Sequence, residues 1–186
     1  ALDVSAAMGG TVEADALLGR YHWRRDEEEK AVAAFEAAFV GYRQDPWPLP
    51  ELLGRAVELA GRIGDTADSK LALRLHAALG KPFAVENLKE DRLETRLRIA
   101  RHLDTDDADQ RTYEALLAFE PHVPWNQDFL ELRIEHYDRF DPAKAAGAHR
   151  DLQRFLSNQG SALTPEDLGL LDPVKAPLRT EPGVQE

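Results

Sequence analysis

Histidine, carboxylate and arginine are the side chains here with chemistry beyond packing. The six histidines show no ligand spacing: His136 follows Glu135, but Phe140 stands where the zinc motif His-Glu-x-x-His needs its second histidine. His136 and His149 are expected on the facing helices of one pair. A hydrogen bond between helices, or two solvent-facing rings, is expected there ahead of a two-histidine metal site. The 34 aspartates and glutamates read as helical surface, with i,i+4 sets such as Glu90, Glu94 and Arg98, and give no sign of a buried acid and base. The absence of cysteine removes disulfides, thiolate nucleophiles and Cys-ligated zinc. GxGxxG, GxxxxGK[ST] and GxSxG are all missing, so neither a phosphate cradle nor a serine-hydrolase elbow is indicated. No catalytic residue, metal or cofactor is assigned, and the segment is expected to be non-enzymatic. Arginine remains; it supplies most of the positive charge, and its planar fork suits carboxylates.

The elements that must position these side chains follow from composition. The chain has 186 residues, 43% of them hydrophobic and 8% aromatic, with a net charge of −11. That length fits one domain. Ala, Leu, Glu and Arg dominate and β-branched residues are scarce, which favours helix throughout; the expected class is all-α with no sheet. The negative charge opposes nonspecific attraction to nucleic acid or anionic membranes. No apolar run approaches the roughly 20 residues that span a bilayer, so no direct membrane insertion is expected. A soluble segment is expected, with the cytoplasm favoured, and the start at Ala1 suggests a piece of a larger protein.

The stretch Leu17 to Ala38 organises the rest. Leu18 and Gly19 lie on a first helix, Asp26 to Glu29 form a charged turn, and Ala31, Phe35 and Ala38 make one face of a second helix. Weaker versions recur, with the small residue after each turn at Ala31, Ser69, Ala108 and Ala145, in steps of 38, 39 and 37. Prolines follow the first three units at Pro46, Pro82 and Pro121. This pattern resembles the tetratricopeptide repeat (TPR), whose Leu-Gly on one helix and Ala, aromatic, Ala on the next are met by Leu18, Gly19, Ala31, Phe35 and Ala38. Asp15 stands at the family's tryptophan position and His22 at its tyrosine. The period exceeds the usual 34 residues, so the likeness is TPR-like. It implies a right-handed α-solenoid of about four antiparallel helix pairs.

In order, residues 1–10 read as a linker or the end of a preceding region, 11–160 as the repeat domain, 161–172 as a capping helix begun by Thr164 and Pro165, and 173–186 as a disordered, proline-rich tail. Helices are expected over about 11–25, 27–44, 50–63, 66–79, 86–103, 106–119, 126–140 and 142–157. Thr11 is a plausible N-cap, and Glu27 to Glu29 sit where a helix N-terminus favours negative charge. The segments Asp45–Pro50 and Glu120–Trp125 are proline-and-tryptophan elbows. Trp47 is expected to fill the gap between helix pairs rather than to bind a partner.

In TPR proteins the first helix of each pair lines the concave surface. The resemblance therefore implies a groove lined by Arg20, Trp23 and Arg24, by Glu58 and Arg62, by Leu93, Leu97 and Arg101, and by Leu130, Ile134 and Tyr137, basic at one end and apolar at the other. Such a groove suits an extended or helical peptide with an acidic end. Equally, these arginines could pair internally with Glu13, Glu51, Glu58 and Glu90. The Asn and Lys positions of chaperone-binding TPRs are missing, so a chaperone tail is not the expected ligand. The expected function is a non-catalytic protein-interaction module. The alternative is an auxiliary domain that docks on a larger enzyme or membrane protein: DPWPLP and FEPHVPW resemble helical tails of bacterial spermidine-synthase-like fusion proteins.

Overall fold

The structure, a computed structural model, describes residues 11–104 and 110–158. Of these, 74% are helical and none is in a strand. The helices are α1 Val12–Trp23, α2 Glu28–Tyr42, α3 Pro50–Gly64, α4 Ser69–Leu79, α5 Lys89–Leu103, α6 Arg111–Leu117, α7 Gln127–Phe140 and α8 Pro142–Asn158. The linker, capping helix and tail expected at 1–10, 161–172 and 173–186, and the small residue Ala108, lie outside the described residues.

Local chemistry sets most boundaries. Thr11, Asp68 and Asn126 are extended or non-helical N-caps whose side chains accept from Ala14, Leu71 and Phe129 backbone N–H, each satisfying a donor that the first turn leaves free. Pro50 and Pro142 open α3 and α8, where a missing N–H costs nothing. Helix α6 begins at Arg111 rather than near residue 106, because Asp104 caps it from upstream: the carboxylate accepts from Thr112 N–H at 2.7 Å and pairs with Arg111 at 3.4 Å. In the turn between α1 and α2, Asp26 has φ 55°, a left-handed conformation that Asp tolerates better than most residues. Beside it the Glu27 carboxylate takes His22 Nδ1 at 2.6 Å with Arg25 and Lys30 at 3.4 Å.

Helices α1 and α2 run antiparallel. Val12, at the start of α1, lies against Gly41, at the end of α2, and Gly19 faces the Phe35 ring so closely that a Cβ there would stand 2.7 Å from it. The antiparallel pair α7 and α8 is tied by Asp138 to His149 at 3.1 Å and Arg133 to Asp151 at 2.6 Å. Beyond their own pairs, α1 packs on α3, α3 on α5, and α2 on α4. The Arg74–Glu36 ion pair at 2.5 Å joins α4 to α2, and Arg98–Asp65 at 3.0 Å joins α5 to the end of α3. The pattern changes at α7, whose backbone comes close to α6 and α8 and not to α5.

Two cores result, and α5 belongs to both. The first gathers Ala31, Val32, Phe35, Phe39, Leu53, Val57, Ile63, Leu75 and Leu79 with Ile99 and Leu103 of α5. The second gathers Leu93, Leu97 and Ala100 of α5 with Leu116, Phe119, Phe129, Tyr137, Ala145 and Ala148. The charge-rich sequence of α5 hides this, because Arg92 is itself buried: Nη1 donates to the Leu79 carbonyl at 2.5 Å, at the end of α4, and the guanidinium lies over the Phe83 ring. A cation at a helix C-terminus is favoured by its dipole. At the elbow Asp45–Pro50 the expectation fails. Trp47 is 88% exposed and Leu49 56%, since Pro48 rather than Trp47 turns inward. Trp125 of the second elbow is half exposed and meets Phe155 edge-on at 6.1 Å.

Candidate functional site

Helix α3 carries Arg55, Glu58, Leu59 and Arg62 at i, i+3, i+4 and i+7, a single stripe on a 3.6-residue helix. That stripe faces the last turn of α1. Arg20, Trp23 and Arg24 complete a cleft of about 440 Å³. Its floor is apolar, since Trp23 and Leu59 both pack on the first core, and four guanidinium groups surround it. Arg62 pairs with Glu58 at 2.7 Å, both side chains being largely exposed. Among the described residues, Arg20, Arg24 and Arg55 have no ion pair or side-chain hydrogen bond. Of the four internal partners considered from sequence, only Glu58 is used; Glu13, Glu51 and Glu90 pair with none of these arginines.

The structure thus brings together Arg20, Trp23, Arg24 and Arg62. It does not bring the remaining groove residues to them. Arg101, in the last turn of α5, is exposed and does not line the cleft; its charge is felt instead at His136 on α7. Leu130 and Tyr137 are wholly buried and Leu97 nearly so, and Ile134 packs against the same core. The expected apolar end of the groove is therefore interior. The reason is the position of α7 against α6: Tyr137 meets Tyr113 of α6 edge-on at 5.9 Å, and its hydroxyl donates to Glu120 at 2.8 Å. A satisfied hydroxyl lets a tyrosine be buried. Arg133, one turn earlier, bridges Glu120 and Asp151 at 2.8 and 2.6 Å and is buried with it.

Beyond the arginine cleft, carboxylates outnumber cations in the neighbouring clefts. Between α3 and α5 lies a second cleft, about 490 Å³, lined by Glu58 again and by Gly54, Asp91, Glu94 and Arg98. Arg98 is committed to Asp65. Asp91 and Glu94 make no ion pair among the described residues, and the Glu94 carboxyl is pushed up by desolvation and by the charges of Glu90 and Asp91. A third cleft, about 300 Å³, follows between the start of α5 and the second elbow, with Glu86, Lys89, Glu90, Leu93, Phe119 and His122 on its walls. Arg55 was recoverable from sequence, lying seven residues before Arg62 on one helical face. From sequence the acidic side reads only as a solvated helical face with i,i+4 charges.

The histidines form no centre. His149 pairs with Asp138, while His136 stacks on Phe140, so the two do not meet. Among the described residues no three metal-ligating side chains converge, and no helix is long and apolar enough to cross a membrane. Comparison of the chain with protein-family models, with curated proteins and with solved structures finds no match.

Proposed function

We propose that this chain is a TPR-like interaction module, a solenoid of about four helix pairs that holds a segment of a partner protein in the cleft between α1 and α3. The observation that carries this reading is the convergence of Arg20, Arg24, Arg55 and Arg62 around Trp23 and Leu59, three of them without an internal partner, on a chain of net charge −11. Unpaired guanidinium groups over an apolar floor suit a segment that presents carboxylates beside apolar side chains. The stacking of α1 on α3, of α3 on α5 and of α2 on α4 supports a repeat architecture, and so does the close meeting of Gly19 with Phe35. The test is capture of partners from the native host by the wild type and by the Arg24→Glu/Arg62→Glu variant. Each reversal is expected to weaken capture by about 1 kcal/mol or more, and the loss should shrink at high salt. Retention of every partner by the double variant would overturn the reading.

One observation favours a second reading. Trp47 and Leu49 are exposed on a proline-braced elbow, an apolar knob suited to seating against another domain of the same polypeptide, as in the spermidine-synthase-like fusions that the elbow sequences resemble. In that case replacing Trp47 with Ser would loosen the association of this segment with the rest of its parent chain, and the arginine reversals would not.

A further inference from the structure

The arginine cleft and the acidic cleft are neighbours on one surface. Glu58 lines both, and it stands on the crest of α3 with Arg55 and Arg62 on the α1 side and Gly54 and Val57 on the α5 side. Past Asp91 and Glu94, the third cleft carries Glu90 and Glu86 together with Lys89. We propose that the occupant of this surface is a segment of opposite polarity, carrying carboxylates where it crosses α1 and α3 and basic side chains where it crosses α3 and α5. This rests on the reading of the arginine cleft as a partner-binding site and specifies the partner's chemistry.

Charge complementarity selects that occupant. A uniformly acidic peptide long enough to pass beyond α3 would bring its carboxylates against Asp91 and Glu94 in the second cleft, where the cation present, Arg98, is already paired with Asp65; like-charge juxtaposition across an interface strongly disfavours a ligand. A uniformly basic one would meet Arg20, Arg24 and Arg55. The helix dipole explains why Glu90 and Asp91 sit in the first turn of α5. It does not explain Glu94, a full turn further on and exposed beside two other carboxylates. A cation delivered by the ligand would relieve all three. The spacing is also set: neighbouring helices lie about 8–10 Å apart, so an extended chain rising ~3.3 Å per residue should separate its acidic and basic groups by about three residues.

Fluorescence anisotropy of labelled nonapeptides tests this on the full chain at low salt. One probe has three glutamates, three glycines and three lysines; the others replace either charged block so that all six charged residues are glutamate, or all are lysine. The mixed probe is expected to bind the wild type about tenfold more tightly than the all-glutamate probe. Asp91→Lys/Glu94→Lys should reverse that order. Arg24→Glu/Arg55→Glu should lower affinity for the mixed probe by about tenfold while leaving the all-lysine probe no weaker. If the all-glutamate probe binds the wild type as tightly as the mixed one, the bipolar ligand is wrong and the arginine cleft stands. Should no probe bind and the arginine reversals also leave partner capture intact, both readings fall.

Discussion

His76 shows how the fold sets the state of a single side chain. It lies 93% buried on α4, and burial first, then the nearby charges of Arg96 and Arg111, push its pKa down from 6.5 to about 4, with Asp104 opposing. In the folded chain it stays neutral at pH values where the unfolded chain takes up a proton. The unfolded state therefore binds more protons between pH 6.5 and 4, and the stability contributed by neutral His76 is complete above that window and drains away as pH falls through it. The expected loss is on the order of 2 kcal/mol after allowing for partial hydration. Denaturant unfolding at pH 7 and pH 4.5 measures it; His76→Leu should remove much of the difference, and an unchanged difference would mean the histidine titrates normally. At this scale the sequence placed Arg20, Trp23, Arg24 and Arg62 on one surface, and they line one cleft, because α1 and α3 use one face for packing and leave the other to solvent. It misplaced Leu97, Leu130 and Tyr137 because α5 and α7 bury more of their circumference, with Arg92 and Arg133 inward among the apolar side chains. Nothing in the order of residues distinguishes a buried arginine from a solvated one until its carbonyl or carboxylate partners are known.

Helices were legible nearly to the residue where Thr11, Pro50, Asn126 and Pro142 mark the start, whereas the cap at Asp68 was passed over and that helix was expected three residues early. Where the cap comes from a distance, as Asp104 caps α6, the start was misjudged. The same scale decides what a glycine is for. In an exposed helix position alanine is better than glycine by about 1 kcal/mol, and at Gly54 the added methyl would find its nearest neighbour, Leu88, at 3.9 Å. Gly54→Ala should therefore raise the melting temperature. At Gly19 the methyl would meet the Phe35 ring at 2.7 Å in a core with no room to yield, and overpacking costs about 1–3 kcal/mol. Gly19→Ala should lower it. Shifts of the same sign in the two variants would show that α1 and α2 do not approach as described.

The molecule as a whole is held together through α5. One side of this helix closes the core of α1–α4, and the other opens the core of α6–α8. Because the backbone of α7 does not come close to α5, the last pair is joined mainly through α6, the second elbow and the bridge from Arg133 to Glu120. Such a chain should open from this end first. Native-state hydrogen exchange is expected to show α7 and α8 amides exchanging at lower free energy than those of α2 and α3, and Leu130→Ala should widen the gap. Uniform protection across all helices would mean that the two cores unfold as one. All-helical architecture followed from composition, since no segment had the alternation or branched side chains of a strand. The asymmetry between the two halves did not, because the repeat spacing is as regular across the third boundary as elsewhere.

The three tryptophans now have distinct optical surroundings. Trp23 lies on the floor of the arginine cleft, Trp125 rests against Phe155, and Trp47 stands almost clear of the protein on its proline brace. Emission from the folded chain should contain a long-wavelength component from Trp47 that acrylamide quenches first, and Trp47→Phe should remove it and shift the remaining spectrum to the blue. A ligand entering the arginine cleft would then be seen by Trp23 alone, whereas a body seated on the elbow would dim or shift only Trp47. The chain's own fluorescence can tell which of its two faces is in use without any label attached.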